Sequence, residues 1–226
     1  MPKTHFSQET INFYRDLRDN NNRPWFQEQK GRYDLVKAES KEFLSSVEDV
    51  MNEHDDIERS KIFRIYRDVR FSKDKTPYKT SISMSFHRRK PALRGGYYVQ
   101  VTPGDQSFIA VGFWNPEPSD LKLIRQNIDF DHQNFRKIIN TPSLIKVWKT
   151  VQGDQVKTSP KGYSKDHPAI DLLKHKQFIF TKAYSDKDVT SPKFLASISK
   201  SFHAIRPFFD YMSNILTHDM NGEPLY

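Results

Sequence analysis

Cysteine is absent from the 226-residue sequence. Without thiols the chain cannot form a disulfide, a thiolate zinc site, an iron–sulfur cluster or a cysteine nucleophile. The start, MPKTHFSQETINFYRDL, lacks the continuous apolar region of a signal peptide, and no run approaches the roughly 18 apolar residues of a membrane span. We therefore expect a cytoplasmic protein that does not enter a membrane.

Motifs that carry common enzyme chemistry are also missing. The sequence has no HExxH, no GxSxG and no GxGxxG after a predicted strand, and its eight histidines are scattered. Motifs for sequence-specific nucleic-acid recognition are missing as well. We predict no metal site and no cofactor, and no feature indicates an oligomeric state.

Acidic residues are scarce in one segment, and the positive charge of the chain is concentrated there. The net charge is +8 overall, but residues 59–94 contain 12 basic and 2 acidic residues, a net charge of +10. The first 58 residues carry 8 basic and 13 acidic residues, a net charge of −5. A cationic field concentrated in this way attracts phosphate, nucleic-acid or carboxylate ligands.

Hydrophobic periodicity predicts an α+β fold, an antiparallel β-sheet packed against N-terminal and C-terminal helices. Ser7 and the asparagines at 20–22 are typical helix caps, and strand patterns begin at Lys61 with KIFRIY. In TSISMSFH, apolar and polar residues alternate, which predicts that Ile82, Met84 and Phe86 share one buried face. A last helix that opens at Ser191-Pro192 should bend near Pro207. Without a repeat or a flexible linker, residues 1–226 are predicted to form a single domain.

The connection RDVRFSKDKTPYK, residues 67–79, is long for a hairpin, and long loops are often functional. Its arginines offer planar forks for oxyanions, its lysines add point charges, and a tyrosine adds a hydroxyl or a stacking face. Alternatively, Asp68 and Asp74 simply neutralise their neighbours while Phe71 and Tyr78 pack the loop down. The predicted anion-binding residues of this segment are Arg67, Arg70, Lys73, Lys75, Tyr78 and Lys79.

A second segment, SPKGYSKDHPAIDLLKHK, adds Lys161 and Gly162 to the predicted anion-binding residues. A glycine permits positive φ or close approach of a ligand, and the helix that we expect Asp166 to cap would favour anions at its N-terminus. His167, with Asp171 four residues later, could act in acid–base chemistry. The alternative is that His167 belongs to the first turn of a capped helix.

In order along the chain, the segments NNNRPWFQEQKGRY, RIYRDVRFSKDKTPYKTSI, YYVQVTPGDQSFIAVGFW, LKLIRQNID and PKGYSKDHPAIDLLKHKQF resemble the conserved-hypothetical family called domain-of-unknown-function family 2461. The resemblance runs from about Phe13 to Phe209. One departure is Glu39-Ser40, where a proline is expected. The resemblance implies a single-domain protein and brings no established activity, so no catalytic residue follows from it.

Three functions remain open from the sequence. The first is a protein whose basic surface binds a phosphate-bearing ligand such as a nucleotide or a nucleic-acid backbone. The second is an enzyme acting on a phosphorylated or anionic substrate, with Asp68, Asp74 or His167 in acid–base roles. The third is a protein–protein interaction module whose charged loop pairs with acidic surfaces. The acidic first 58 residues offer one such partner, within the molecule or in a dimer.

Overall fold

The computed structural model describes residues 2–219 and 221–225 and has the predicted α+β architecture. Within those residues the chain forms ten helices and one five-stranded antiparallel sheet of order β1-β2-β3-β4-β5. The strands are β1 (Ile57–Ile62), β2 (Ile82–Arg88), β3 (Gly96–Val101), β4 (Ser107–Phe113) and β5 (Phe178–Tyr184). The helices are α1 (Gln8–Asp19), α2 (Arg23–Glu28), α3 (Lys30–Asn52), α4 (Pro118–Phe130), α5 (His132–Ile139), α6 (Pro142–Trp148), α7 (Ile170–Leu173), α8 (Asp186–Val189), α9 (Phe194–Ala204) and α10 (Arg206–Thr217).

Polar side chains cap the N-termini of the first two helices, as the sequence predicts. The Ser7 hydroxyl accepts a hydrogen bond from the Thr10 backbone N–H at 3.2 Å and caps α1. The side-chain amide oxygen of Asn22 accepts a hydrogen bond from the Trp25 N–H at 3.0 Å and caps α2. Each cap satisfies a backbone donor that has no partner inside the helix. The caps therefore set where each helix starts.

The alternation in β2 sets which residues face the core. Ile82, Met84 and Phe86 are all buried, which confirms the predicted face. Ser83 and Ser85 lie on the other face and are also largely covered. Since the side-chain period of a strand is two, this register is fixed by the apolar residues.

The predicted start of the first strand, Lys61, is wrong, because β1 begins at Ile57. Glu58 and Arg59 are exposed on it. Charged residues have low intrinsic strand propensity, so the pattern does not indicate a strand there. Pairing with β2 overrides that propensity.

Backbone contacts divide the chain into two compact units. The first comprises the residues up to Phe86, Tyr98–Ile109 and Ala183–Lys200. The second comprises His87–Tyr97, Ala110–Lys182 and the residues from Ser201 onward. That the whole chain acts as one domain stays a prediction.

The last predicted helix begins at Phe194 rather than at Ser191-Pro192, and it is interrupted at Ile205, close to the position where we expected a bend. Helix α9 ends at Ala204, and α10 begins at Arg206 with Pro207 in its first turn. Proline lacks the N–H that a continuous helix would require at that position. Phe202, Ile205 and Phe209 are fully buried on both sides of the break.

Candidate functional site

A cleft of about 550 Å³ lies in the first unit, between helix α2 and the connection from β1 to β2. We call residues 63–81 of that connection the basic loop. Helix α2 contributes one wall of the cleft and the basic loop contributes the other. The lining residues are Arg23, Pro24, Gln27, Tyr66, Arg67, Val69, Pro77 and Tyr78.

Backbone hydrogen bonds join the two ends of the basic loop to each other. Tyr66 and Tyr78 form an antiparallel bridge. Beside it, the Arg67 N–H donates to the Pro77 carbonyl at 2.9 Å and the Lys79 N–H donates to the Ile65 carbonyl at 2.7 Å. The long connection is therefore a narrow hairpin-like arm with an irregular tip, rather than a free loop.

Asn21 attaches this arm to the start of α2. Its amide nitrogen donates to the Tyr78 carbonyl at 2.9 Å, and its amide oxygen accepts from the Tyr78 N–H at 3.1 Å. The side chain thus replaces a neighbouring strand and satisfies both backbone groups of one residue. The sequence NNN at 20–22 indicated caps and turns but not this attachment across 57 residues.

Aromatic rings form the floor beside the attachment. Phe26 stacks on Tyr78 with ring centroids 4.0 Å apart, and Tyr66 approaches Tyr78 at 5.5 Å. Burial, and then Tyr66, raise the pKa of the Tyr78 hydroxyl, while Arg23 opposes them. Tyr78 is 6% exposed and therefore packs the loop down, whereas Tyr66 is 53% exposed and presents a ring to the cleft.

Arg67 is the predicted anion-binding cation that lines the cleft. One guanidinium nitrogen, Nη1, donates to Asp74 and to the Thr76 hydroxyl. Among the described residues, its Nε and Nη2 have no hydrogen-bond partner. Nε and Nη2 lie on one edge of the planar group, so the two parallel donors of that edge remain available to an oxyanion.

Asp74 is held ionised and orients Arg67. The Thr76 backbone N–H, then Arg67 and the Thr76 hydroxyl, lower its pKa to about 2. Arg70 similarly lowers the pKa of Asp68 through a bidentate pair, with Nε–Oδ1 at 2.9 Å and Nη2–Oδ2 at 2.7 Å. Carboxylates held in this state are poor general acids and bases near neutral pH.

The remaining cations of the arm do not converge on the cleft. Arg70 is 77% exposed beside Asp68, and Lys75 Nζ donates to the Val69 carbonyl at 2.9 Å. Lys73 is exposed, and Lys79 Nζ lies 5.5 Å from the centre of the Phe63 ring. These pairings lie inside the loop, and among the described residues none of them involves a carboxylate of the first 58 positions.

Phe71 does not pack the loop down, contrary to the alternative derived from the sequence. Its side chain is 97% exposed at the tip of the arm. The Arg70 guanidinium lies 6.0 Å from its ring centre. The tip is held by the Arg70–Asp68 ion pair and by the hydrogen bond from Lys75 to the Val69 carbonyl. The Phe71 ring therefore faces solvent.

The second predicted segment lies in the other unit. Gly162 has the expected positive φ, 94°, and Lys161 is exposed. The grouping of these two residues with the basic loop stays a prediction. Asp166 does not cap the following helix, because α7 begins at Ile170 without a side-chain cap.

His167 has a different carboxylate partner from the one predicted. Its Nε2 lies 3.0 Å from Asp129 Oδ1, while Asp171 pairs with Arg136. Its Nδ1 accepts a hydrogen bond from the Ala169 N–H at 3.0 Å. The proton of the neutral ring is therefore on Nε2 and points to Asp129, and the lone pair of Nδ1 is already used.

A protein-family model described as a conserved hypothetical protein (DUF2461) matches residues 9–211. The chain belongs to this family. The resemblance derived from its motifs is therefore confirmed. No curated protein and no solved structure matches the chain. None of the described helices is long and apolar enough to span a membrane.

The departure at Glu39-Ser40 has a structural role. Helix α3 runs without interruption through both residues. The Glu39 carboxylate accepts hydrogen bonds from the Ser7 backbone N–H at 2.9 Å and from the Thr10 hydroxyl, and pairs with Lys3 at 2.6 Å. A proline there would remove these contacts.

Proposed function

We propose that the protein binds a phosphate-bearing ligand in the cleft between α2 and the basic loop. A nucleotide fits the chemistry of the lining residues best, and a nucleic-acid backbone offers the same phosphate groups. The observation that carries this proposal is the fixed guanidinium of Arg67, which has one nitrogen bound to Asp74 and one edge without a partner in the described structure.

Arg23 supplies a second cation from the other wall of the cleft. It is exposed, and it forms no ion pair with any described residue. Asp74 neutralises Arg67, whereas no described carboxylate pairs with Arg23, so the cleft keeps a positive charge that attracts an anion. A phosphate accepts parallel N–H donors well, which makes arginine the preferred side chain for such a contact.

Tyr66 gives the cleft a place for a flat apolar group. Its ring is about half exposed and lines the same cleft as the two arginines. An aromatic face beside cations is suited to a nucleobase whose phosphates reach the guanidinium groups. This combination favours a nucleotide over inorganic phosphate alone.

The test is titration calorimetry with adenosine triphosphate and with inorganic tripolyphosphate, at several salt concentrations. We expect affinity to fall as salt rises, since binding neutralises phosphate charge. Arg67→Ala should weaken binding about 10-fold or more, because it removes hydrogen bonds between charged groups. Arg67→Lys should restore the binding only in part, because lysine lacks the fork.

Lys41→Ala is the matched control. Lys41 is exposed on α3, outside the cleft, and its substitution removes the same charge. We expect it to leave affinity nearly unchanged. Equal weakening by Arg67→Ala and Lys41→Ala, or no binding of either ligand by the wild-type protein, would contradict the proposal.

A further inference from the structure

Three aromatic side chains form a row across one face of the sheet in the first unit. Phe63 follows β1, Tyr98 lies on β3 and Phe108 lies on β4. The Phe63 and Tyr98 ring centroids are 6.2 Å apart, and those of Tyr98 and Phe108 are 5.7 Å apart. The small side chain of Ser83, on the intervening strand, lets the rings approach each other.

This row faces away from the core. Val99 and Ile109, the chain neighbours of Tyr98 and Phe108, are buried, whereas Tyr98 and Phe108 are partly exposed. Successive strand residues point to opposite faces, so the two rings share the solvent side. Phe63 is 36% exposed beside them.

Hydrogen bonds hold the central ring in place. The Tyr98 hydroxyl lies 2.8 Å from Gln100 Oε1 and 2.9 Å from Ser83 Oγ. Since it has one proton, it donates to the Gln100 carbonyl and accepts from the serine hydroxyl. A ring fixed in this way loses little entropy when another flat group stacks on it.

Cations border the row. Lys61 Nζ lies 4.9 Å and Lys79 Nζ 5.5 Å from the centre of the Phe63 ring. Burial first, and then Arg64 and Lys61, lower the pKa of Lys79. In the part of the chain that the structure describes, none of these three cations has a carboxylate in ion-pair contact.

We infer that this face binds single-stranded nucleic acid, with bases stacked on Tyr98 and its neighbouring rings and phosphates at Lys61 and Lys79. Cross-strand aromatic pairs alone would also stabilise a sheet. Cation–π attraction accounts for the position of Lys61 and Lys79 beside the Phe63 ring, but both lysines still lack an ion-pair partner among the described residues. Partly exposed rings combined with neighbouring cations are the chemistry that single strands require, since every base has a stacking face and every linkage carries a negative charge.

The proposed surface is separate from the cleft, because none of its residues lines the cleft. A duplex hides the faces of its bases, so the proposed surface should discriminate between the two forms of nucleic acid. A cleft that binds phosphate alone would not show that preference. The two proposals can therefore fail independently.

The experiment is fluorescence anisotropy with a labelled single-stranded oligothymidine on the order of 10 nucleotides, a length within the usual range for one binding domain. We expect Tyr98→Leu, which removes the ring but keeps apolar bulk, to weaken binding about 10-fold. Tyr98→Phe keeps the ring and should bind within about 2-fold of the wild-type protein, since a change that small corresponds to well under 1 kcal/mol. Lys79→Gln should lower the slope of log affinity against log salt by about one counterion.

Circular dichroism checks that each variant is folded. If Tyr98→Leu is not folded, Phe63→Leu, at a more exposed position, replaces it with the same expected loss. Wild-type affinity in the folded leucine variant, equal affinity for a duplex, or no binding of the oligonucleotide would overturn the inference. Loss of oligonucleotide binding in Arg67→Ala but not in Tyr98→Leu would likewise refute it and assign the strand to the cleft.

Discussion

Replacing Glu39 by glutamine tests whether one carboxylate joins the N-terminal segment and α1 to α3. The side chain is 11% exposed and is surrounded by donors from Lys3, Ser7 and Thr10. Glutamine keeps the shape of the glutamate side chain but loses its charge. Its amide N–H groups cannot accept hydrogen bonds from those donors. Hydrogen bonds to charged groups contribute about 1 kcal/mol more than neutral ones.

We expect Glu39→Gln to lower the free energy of unfolding of the first unit by about 2 kcal/mol at neutral pH. This figure counts the contacts with Ser7 and Thr10 and discounts the one with Lys3, whose side chain is 28% exposed. Urea unfolding followed by far-ultraviolet circular dichroism measures it. Glu42→Gln is the matched control, because Glu42 is exposed on the same helix and should change stability by less than about 0.5 kcal/mol.

The pH dependence gives the prediction a second readout. Burial raises the pKa of Glu39, but the hydrogen bonds from Lys3, Thr10 and Ser7 outweigh it and lower the pKa below the ordinary 4.5. The stabilisation is therefore complete above that ordinary value and is lost as pH falls through the lower folded-state value. The difference between Glu39→Gln and the wild-type protein should shrink as pH falls below the ordinary carboxyl pKa of 4.5. A difference that is absent at neutral pH, or that stays constant into acid, would refute the reasoning.

Two further predictions concern the second unit. Gly112→Ala should lower the free energy of unfolding by about 3 kcal/mol or more, because Gly112 has a φ of 143° and an added Cβ would collide with the Phe178 carbonyl. The control is Gly31→Ala, on α3 of the first unit, where an added Cβ meets open space and the change should be neutral or stabilising. Phe202→Ala should cost about 3–5 kcal/mol, since the fully buried ring stacks against Trp148. Urea denaturation measures both, and losses below about 1 kcal/mol would mean that these contacts do not support the folded state.

Local patterns account for the parts of the fold that the sequence predicts well. The alternation through Ile82, Met84 and Phe86 sets a buried face, and the caps at Ser7 and Asn22 satisfy nearby backbone donors. Each of these relations joins residues a few positions apart. The period of the side chains or the chemistry of the cap therefore carries the information.

The candidate sites depend on contacts that no local pattern encodes. The sequence indicates that Asp68 and Asp74 can neutralise neighbouring cations, and they pair with Arg70 and Arg67. Which nitrogens of Arg67 this leaves without a partner depends on how the arm turns. The cleft exists because Asn21 binds the backbone of Tyr78, far along the chain. Periodicity likewise does not predict that Tyr98 contacts Phe63 on one side and Phe108 on the other.

The position of β1 in the strand order has a consequence for self-association. As the first strand of the sheet, it has a hydrogen-bonding edge that faces no further strand of that sheet. Exposed Glu58, Arg59 and Lys61 lie on it, and charges on an outermost strand oppose pairing with a second copy of the chain. A polyanion that neutralises Lys61 would weaken this barrier. Molecules crowded along one nucleic-acid strand would then be more prone to join edge to edge, so the mass of the particle should be followed as the strand is added.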